Sequence, residues 1–501
     1  MSKKKPMRRW ISRVTVLCLL LTTALPGVSA QTSFLNSAAY VNVRSYGAKG
    51  DAVTNDTAAV RAAVAAAAKG GKTVFFPAGL YNLNESIAIP AGVNIEGITS
   101  ATNGPWQNLY DGESKNQKYN GKSSSSYFDP AIYAGSWILA SNGSGNVDAG
   151  ATFQLQGDNE VRRIGFVSLM SPPVNELETT PSPPVIGADI NKLASTKGIV
   201  IEDISLANPY YGIAVYQGSL KNYNTSAKLS GKSSGPVTIR NVMGAAMYRG
   251  ISIIGANGKV SLDNIQFNYA NYGTTYVKEH WNNCVDIDLA ACTDVTVTNV
   301  LSFGAYTGLQ TSSAFSGSPV NVTARNLNLE GEKPLVLKAS GTQNISNSYL
   351  LLTNFADASV KKDWTAVTIQ QDAASSAKAA YTLTGLVFQD GLSTGKHMDI
   401  TLQGGATVNL TNGVIWNWDS GAPLIRYTHS AGGSSKVTIT NLSLCSTKQG
   451  QLAAVGGSAY QTGELTFQYC RLNSSVLGGL TGAGSRVKFI QCSSGGQRIS
   501  N

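Results

Sequence analysis

Cysteine, histidine and charge are all scarce in this sequence of 501 residues. The chain has 6 cysteines and 3 histidines, and only 14% of its residues are charged. The five cysteines after residue 30 are too few for a disulfide scaffold in a chain of this length, and none has the C-x-x-C spacing of a zinc site. His280, His397 and His429 cannot supply a three-histidine zinc site without help from carboxylates.

Several motifs that identify common enzyme classes are also missing. The chain has no H-E-x-x-H, no P-loop and no G-x-S-x-G, which excludes zincin proteases, P-loop nucleotide enzymes and serine hydrolases of the nucleophile-elbow type. The 52 glycines show no three-residue period, and 42% of the residues are hydrophobic, so collagen-like and disordered classes are excluded as well. A folded chain with a sizeable core is expected.

The first 30 residues have the pattern of a secretory signal peptide. Six basic residues precede an apolar run over 14–21, and Val28-Ser29-Ala30 provides a small-residue cleavage site. We therefore expect a secreted chain that starts near Gln31. Without the six basic residues of the leader, the chain has 33 basic and 29 acidic residues. The resulting net charge of +4 predicts no nucleic-acid partner. No later run reaches the roughly 18 apolar residues of a membrane span, so no membrane association is expected after cleavage.

A short motif, apolar-x-apolar-x-Asn-apolar, repeats through the mature chain. Clear copies centre on Asn241, Asn264, Asn299 and Asn441. Looser copies centre on Gly165, Asp203, Asn326, Gly385, Asn412, Tyr469 and Gln491. Each copy alternates with the period of two that is typical of β-strands, and the alternation slips by one residue at the central position. Asn and Gly tolerate the left-handed conformation that such a corner needs.

The spacing of these corners predicts a solenoid. The shortest spacing is 22 residues, from Tyr469 to Gln491, which suits one coil of a parallel β-helix with insertions elsewhere. A β-sandwich or propeller would not explain a constant corner residue at this spacing. Residues just after each corner are apolar and are expected to face inward. Cys470 and Cys492 hold equivalent places in adjacent coils, where either a disulfide or a stack of reduced thiols fits.

One strongly helical segment, residues 56–69, precedes the repeats. Val60, Ala63, Val64 and Ala67 recur at helical spacing, and Gly70-Gly71 follows. A solenoid exposes bare core and unpaired strand at its end, so this amphipathic helix is expected to cap it. The predicted fold is therefore all-β, a right-handed parallel β-helix with an N-terminal capping α-helix. We expect the cap and first coils over 31–100, a loop insertion rich in aromatic residues, Gly and Ser over 101–150, and coils over 151–501, with 31–501 as one domain.

The cap segment resembles a known family. Residues 43–60 (VRSYGAKGDAVTNDTAAV) and 71–81 (GKTVFFPAGLY) are similar to the opening of the pectate lyase superfamily domain of rhamnogalacturonase and epimerase-like proteins, a group related to glycosyl hydrolase family 28. The resemblance implies a right-handed parallel β-helix and a carbohydrate ligand. Ala52 and Asn55 stand where the family usually has Gly and Asp. The catalytic patterns of better-known relatives, such as Gly-His-Gly or adjacent aspartates, are absent.

A dense polar segment before residue 290 is the candidate site. In Val285-Asp286-Ile287-Asp288-Leu289 the apolar residues should face the core, which would place Asp286 and Asp288 together on the outer face about 6.5–7 Å apart. They would serve either as acid and base of an inverting glycosidase or as Ca²⁺ ligands in a lyase. Lys278 and His280 are further catalytic candidates. Candidate substrate-binding residues are Tyr276, Trp281 and Arg249.

The resemblance implies a polysaccharide partner, and two interpretations remain open. One is an enzyme that cleaves an acidic, pectin-like polysaccharide by hydrolysis or β-elimination. The other is a non-catalytic glycan-binding or surface-structural β-helix, which the missing catalytic motifs favour. Trp416 and Trp418 would add a stacking platform for sugars if their shared face points outward.

Overall fold

The computed structural model describes most of the chain after residue 38. The described residues are 39–101, 133–168, 180–221, 229–268, 283–312, 318–353, 364–371, 378–390, 396–416, 423–429, 434–445, 452–456, 463–472, 480–481 and 487–499. The predicted signal peptide, residues 1–30, lies outside them. Within this part of the chain, no helix combines the length and the apolar character that crossing a membrane requires.

The described chain forms two long parallel sheets. The first sheet has 25 strands: β1 (Tyr40–Asn42), β2 (Asp51–Asn55), β3 (Thr73–Phe75), β4 (Gly79–Leu83), β6 (Asn94–Glu96), β7 (Ser136–Ala140), β9 (Asn159–Ser168), β11 (Ile199–Ala207), β13 (Val237–Ala245), β15 (Val260–Asn268), β17 (Val295–Ala305), β19 (Val322–Gly331), β21 (Gly341–Ser346), β22 (Tyr349–Leu352), β24 (Ala379–Thr384), β25 (Val387–Asp390), β27 (Thr407–Thr411), β28 (Val414–Trp416), β30 (Lys436–Thr440), β31 (Ser443–Cys445), β33 (Glu464–Gln468), β34 (Arg471–Leu472), β36 (Val487–Ile490), β37 (Ser493–Ser494) and β38 (Gln497–Arg498). The second sheet has 13: β5 (Ile87–Ile89), β8 (Phe153–Leu155), β10 (Pro184–Asp189), β12 (Tyr211–Tyr216), β14 (Arg249–Ile254), β16 (Val285–Ala290), β18 (Thr307–Ser312), β20 (Leu335–Leu337), β23 (Thr365–Gln370), β26 (Lys396–Leu402), β29 (Ile425–His429), β32 (Ala453–Gly456) and β35 (Leu480–Thr481).

Strands from successive coils pair in parallel, and this arrangement confirms the right-handed β-helix. In the first sheet β11, β13 and β15 pair in sequence order, and in the second sheet β12, β14 and β16 do the same. Among the described strands, β37 and β38 at the C-terminal end pair antiparallel. The two sheets enclose one long core of Val, Ile, Leu and Phe side chains between them.

Most of the predicted corners are confirmed. Left-handed backbone occurs at Asp203, Asn241, Asn264, Asn299, Asn326, Gly385, Asn412, Asn441, Tyr469 and Gln491. The residue after each corner, such as Val242 or Ile265, is fully buried as expected. Corner amides also bond from coil to coil: Asn241 Nδ2 donates to Asp203 Oδ1 at 3.0 Å, and Asn264 Nδ2 donates to Asn241 Oδ1 at 2.9 Å. This ladder shifts at Asn299, whose amide donates to Asp263 Oδ1 instead, at 2.8 Å.

Two corners differ from the sequence prediction. The corner expected at Gly165 lies at Arg163, with φ 53°. Position 165 requires a glycine for a steric reason instead, because a Cβ there would lie 2.3 Å from the Trp137 indole. The structure adds a corner at Asn347, with φ 48°, that the motif search missed.

The predicted capping helix is confirmed as α1 (Thr57–Gly70), ended by Gly71 in a left-handed conformation. Its Val60, Ala63, Val64 and Ala67 are buried against the first coils. Two 3₁₀ turns, Val43–Tyr46 and Ile190–Lys192, complete the helical content of the described residues. Of the predicted insertion at 101–150, residues 102–132 lie outside the described part. Within the remainder β7 pairs with β4 and β9, and its Trp137 is buried.

Candidate functional site

The structure separates the two aspartates that the sequence placed side by side. Asp288 lies on the outer face of β16, but Asp286 points inward, so the prediction of a shared outer face is wrong for Asp286. Ser302 Oγ donates to Asp286 Oδ2 at 2.5 Å. Ser302 is paired in register with Phe267 and Leu329, which are both core residues. Asp286 itself is fully buried.

The strand start explains why the alternation fails at Asp286. The equivalent position on neighbouring coils is Gly212, Gly250 or Gly308. A Cβ at Gly250 would lie 2.7 Å from the Phe267 ring, and a Cβ at Gly308 would lie 2.9 Å from Leu329. This position therefore faces the core, and so does the next one, Ile287. Strict period-two alternation begins only after Ile287.

Asp288 forms a buried ion pair with the predicted substrate-binding residue Arg249. Arg249 Nε donates to Asp288 Oδ2 at 3.2 Å, and Gln310 Nε2 donates to Asp288 Oδ1 at 3.2 Å. The side chains of Asp288 and Arg249 are 1% and 10% exposed. The Arg249 guanidinium also donates to the carbonyls of Tyr248 and Asn283, and it lies 3.9 Å above the Tyr248 ring. The Asp288 carboxylate is thus surrounded by donors.

The residues present do not fit the predicted calcium site. Asp286 and Asp288 point to opposite sides of β16 and cannot chelate one ion. Across the described residues, no group of three or more His, Cys, Asp or Glu side chains is placed to hold a metal. The remaining candidates, Tyr276, Lys278, His280 and Trp281, fall within 269–282, outside the described residues.

The outer face of the second sheet is covered towards its N-terminal side. An apolar layer there consists of Tyr211, Ala214, Tyr216, Leu220, Ile254, Ala290 and Ala291. Burial in this layer, with nearby Asp189 and Asp148, raises the pKa of Tyr216 to about 12. This covered part leaves no open surface for a long ligand.

The C-terminal side of the same face carries an open polar cleft of about 310 Å³. It is lined by Lys333, Thr368, Ile369, Gln370, Asp399, Thr401, Arg426 and Thr428. Asp399 belongs to the same outer row as Asp288, because Asp288, Gln310, Val336, Thr368, Asp399 and Arg426 are successive register partners. We call this surface the cationic cleft.

The charged side chains of the cationic cleft remain accessible. Arg426 Nε donates to Asp399 Oδ2 at 3.1 Å, yet the Arg426 side chain is 41% exposed. Lys333 Nζ lies 5.8 Å from the centroid of the Tyr306 ring. This site is hard to recognise in the sequence because its residues come from four separate strands and loops. A signal was present in Thr368-Ile-Gln, Asp399-Ile-Thr and Arg426-Tyr-Thr, which repeat polar-apolar-polar on consecutive coils.

A second cleft, of about 400 Å³, lies on the first sheet. Its lining includes Asn94, Asp158, Glu160, Lys197 and Thr238. Lys197 Nζ is 3.1 Å from Asp158 Oδ2. This cleft has two carboxylates and one ammonium, so its charge is opposite in sign to that of the cationic cleft.

Of the two tryptophans in the predicted stacking platform, the structure describes Trp416. Trp416 on β28 faces outward and is 48% exposed, whereas Trp418 lies outside the described residues. Trp416 is on the first sheet, away from the cationic cleft.

Comparisons with known proteins agree with this fold. Residues 40–123 match the family model "Rhamnogalacturonase A/epimerase, pectate lyase-like". A glucan 1,3-beta-glucosidase of Cochliobolus carbonum is 41% identical over 67 residues, which are 13% of this chain and 8% of that protein. The non-secreted LysM effector LysM19 of Penicillium expansum is 38% identical over 63 residues, 13% of this chain and 5% of that protein.

The likeness to a solved structure extends over more of the chain but shows the fold alone. The pre-mature bacteriophage phi29 gene product 12 aligns with a TM-score of 0.53 at 13% identity, over 92% of this chain and 57% of that one. The matched segments of the two curated relatives are less than a tenth of their lengths. Residues 40–123 therefore match the rhamnogalacturonase A/epimerase, pectate lyase-like family model, and they lie at the start of a parallel β-helix.

Proposed function

We propose that this protein is a carbohydrate-active β-helix that binds an acidic, pectin-like polysaccharide in the cationic cleft and cleaves its glycosidic bonds. The observation that carries the proposal is that the partly exposed Arg426 guanidinium and Lys333 line the same open, polar cleft. A guanidinium binds a carboxylate through paired hydrogen bonds, which suits the carboxylates of a uronate chain. The family match at residues 40–123 supports a carbohydrate ligand.

The donor set of the cationic cleft favours β-elimination over hydrolysis. An inverting or retaining glycosidase needs two carboxylates on either side of the bond. Asp399 is the one carboxylate among the described residues that line the cleft. Elimination instead requires a cation to stabilise the uronate carboxylate while a base removes the α-proton. The base, in its neutral form, takes the α-proton; the carbon–oxygen bond at the β-position then breaks, a carbon–carbon double bond forms, and the leaving oxygen takes a proton from water. Arg426 provides the cation, and Lys333 is the basic side chain on the cleft.

Product analysis on defined substrates tests this function. Polygalacturonate and rhamnogalacturonan are incubated with the protein, with a neutral β-glucan as control substrate. Elimination yields new reducing ends together with the ultraviolet absorbance of an unsaturated uronate, whereas hydrolysis yields reducing ends alone. We expect both signals on the acidic substrates, and their loss in an Arg426→Ala variant. Reducing ends alone, or cleavage of only the neutral glucan, would contradict the assignment.

The second candidate function is non-catalytic glycan binding or a surface-structural role. The observation in its favour is that both predicted catalytic aspartates, Asp286 and Asp288, are fully buried and hydrogen-bonded. A pure binding protein would retain polygalacturonate and release neither product. The same assay therefore separates the two functions.

Secretion is part of the proposal and rests on the leader pattern of residues 1–30. The expected result is export with the mature chain starting at Gln31. N-terminal sequencing of protein from the medium of an expressing host tests this, and an intact leader on protein retained in the cells would overturn it.

A further inference from the structure

Two buried cysteines stack on each other in the last two coils of the first sheet. Cys470 and Cys492 directly follow the left-handed corners at Tyr469 and Gln491. The flanking register pairs are Gln468 with Ile490 and Arg471 with Ser493, so Cys470 lies opposite Cys492. Both thiols are unbonded in this structure, and each residue is 1% exposed.

The register and spacing of the two strands are compatible with a disulfide. The backbone amide of Cys470 lies 3.4 Å from Cys492 Sγ, which brings the two residues into direct contact. Neighbouring strands lie about 4.8 Å apart. That separation is within the Cα distances of about 4.4–6.8 Å that disulfides span, so little backbone movement is needed. Both side chains point into the same core layer, beside the Gln468 and Phe467 carbonyls.

The other cysteines lack such a partner. Cys284 and Cys292 lie on either side of β16, and their thiols contact the Ala246 and Ile253 carbonyls respectively. Cys445 is exposed on β31 and pairs in register with Trp416. Of the five described cysteines, only Cys470 and Cys492 are register neighbours.

We propose that Cys470 and Cys492 form a disulfide that joins the last two coils. The oxidant is a small-molecule disulfide of the kind found in oxidising compartments. The thiolate of one cysteine attacks that disulfide, which forms a mixed disulfide and releases one thiolate. The second cysteine then attacks the protein sulfur of the mixed disulfide, closes the protein disulfide and releases the other thiolate. Two electrons pass to the oxidant, which leaves as two thiols after protonation.

The C-terminal coil is exposed enough for this reaction to occur. Val487 and Phe489 occupy inward positions, because their register partners Leu465 and Phe467 are buried in the core. Val487 and Phe489 are nevertheless only partly buried. With less apolar cover, the last coil should open more readily than the central ones. Burial raises the pKa of the Cys470 thiol to about 12, so exchange proceeds in the opened coil or before it docks rather than in the closed state.

The proposed disulfide closes a loop across the coil that is least covered. It would limit separation of the last coil from the body of the solenoid, and its stabilising effect would come mainly from restricting the unfolded chain. This role is independent of the proposed polysaccharide chemistry, since the cationic cleft is on the second sheet.

Peptide mapping after oxidation tests the proposal. A Cys445→Ser variant, which removes the exposed thiol, is refolded in a glutathione redox buffer, alkylated and digested with trypsin. Cleavage after Lys448, Arg471, Lys488 and Arg498 gives peptides 449–471 and 489–498, which contain Cys470 and Cys492 respectively. We expect these two peptides to be joined, and to separate on reduction. The same mapping of the unaltered chain, purified without reductant, requires no refolding step.

Matched variants separate the disulfide from general oxidation. In the Cys445→Ser background, Cys292→Ser should keep the joined peptides because Cys292 is equally buried but unpaired with a thiol. Cys492→Ser should abolish them, together with any oxidation-dependent protection of the 472–488 segment from proteolysis. Full alkylation of Cys470 and Cys492 after oxidation, or linkage of either to Cys284 or Cys292, would overturn the proposal.

Discussion

Two Asp–Arg pairs have their aspartates in the outer row of the second sheet, and the pairs differ mainly in how deeply they are buried. The pair of Asp288 and Arg249 lies under neighbouring structure, with side chains 1% and 10% exposed. The pair of Asp399 and Arg426, farther along the same row, borders an open cleft, and Arg426 is 41% exposed. The same two residue types thus form a buried ion pair in one region and border an open cleft in the other.

Residue type and spacing therefore do not decide whether an Asp–Arg pair is buried within the fold or borders an open surface. Bringing Asp288 and Arg249 out of water carries a large desolvation cost, which their mutual attraction and extra hydrogen bonds must offset. The desolvation cost is smaller at the cationic cleft, because the Arg426 and Asp399 side chains are 41% and 18% exposed and solvent partly screens their contact.

Asp288→Ala should be strongly destabilising. It leaves the Arg249 guanidinium buried without its carboxylate, which costs about 3 kcal/mol of unfolding free energy, the low end for such pairs because two carbonyls still accept from Arg249. Asp399→Ala is the control and should cost less than about 1 kcal/mol. Urea unfolding of both variants measures the difference. Equal losses would show that cover does not distinguish the two pairs.

His397 is a buried titratable group without a hydrogen-bond partner among the described residues. It is fully buried, its two ring nitrogens have no hydrogen bond, and burial lowers its pKa to about 3. The unfolded chain binds a proton at the ordinary pKa of about 6.5, so the stability from neutral His397 is complete above that pH and is lost as the pH falls towards 3.

The His397 effect should amount to about 2 kcal/mol between neutral pH and about pH 5, at roughly 1.4 kcal/mol per pH unit below 6.5. Unfolding free energies of the parent and of His397→Phe at both pH values measure it. The Phe variant should lose less stability on acidification by that amount. An identical pH dependence in the two proteins would place the acid sensitivity elsewhere.

The corner residues should show the smallest effects. Asn241 bonds to Asp203 on one side and Asn264 on the other, and it has left-handed backbone. Asn241→Ala should therefore cost about 1–2 kcal/mol. Tyr469 holds the same conformation and is 53% exposed, so Tyr469→Asn should instead stabilise the protein by a few tenths of a kcal/mol. Thermal unfolding compares the two, and a loss in both variants would contradict the corner argument.

The sequence predicts the periodic parts of this molecule well. The solenoid and most corners follow from local patterns that recur from coil to coil, and the helix over Thr57–Gly70 follows from its own helical spacing of apolar residues. Arg163 was missed because its backbone is left-handed despite a residue type that gives no signal, and Gly165 was misread because the constraint on it comes from Trp137 in another coil. Neither position could be assigned from its own neighbours in the chain.

The candidate site was less predictable for two physical reasons. The orientation of Asp286 depends on two successive inward positions at the start of a strand, which a simple period-two pattern does not describe. The cationic cleft is built from Lys333, Asp399 and Arg426, which are far apart in sequence and meet only through the register of successive coils. The length of each coil decides which residues of successive coils lie opposite each other. Insertions between the coils obscure that length in the sequence.

Binding of polygalacturonate by cleft variants tests directly whether the cationic cleft is the polysaccharide site. The double variant Lys333→Ala/Arg426→Ala is compared with the parent and with Lys197→Ala, which removes a cation from the second cleft, in calorimetric titrations at low salt. We expect the affinity of the double variant for polygalacturonate to fall at least about tenfold at unchanged thermal stability, and the affinity of Lys197→Ala to stay the same. Unchanged affinity in the double variant, or an equal loss in Lys197→Ala, would contradict the assignment of the cationic cleft as the polysaccharide site.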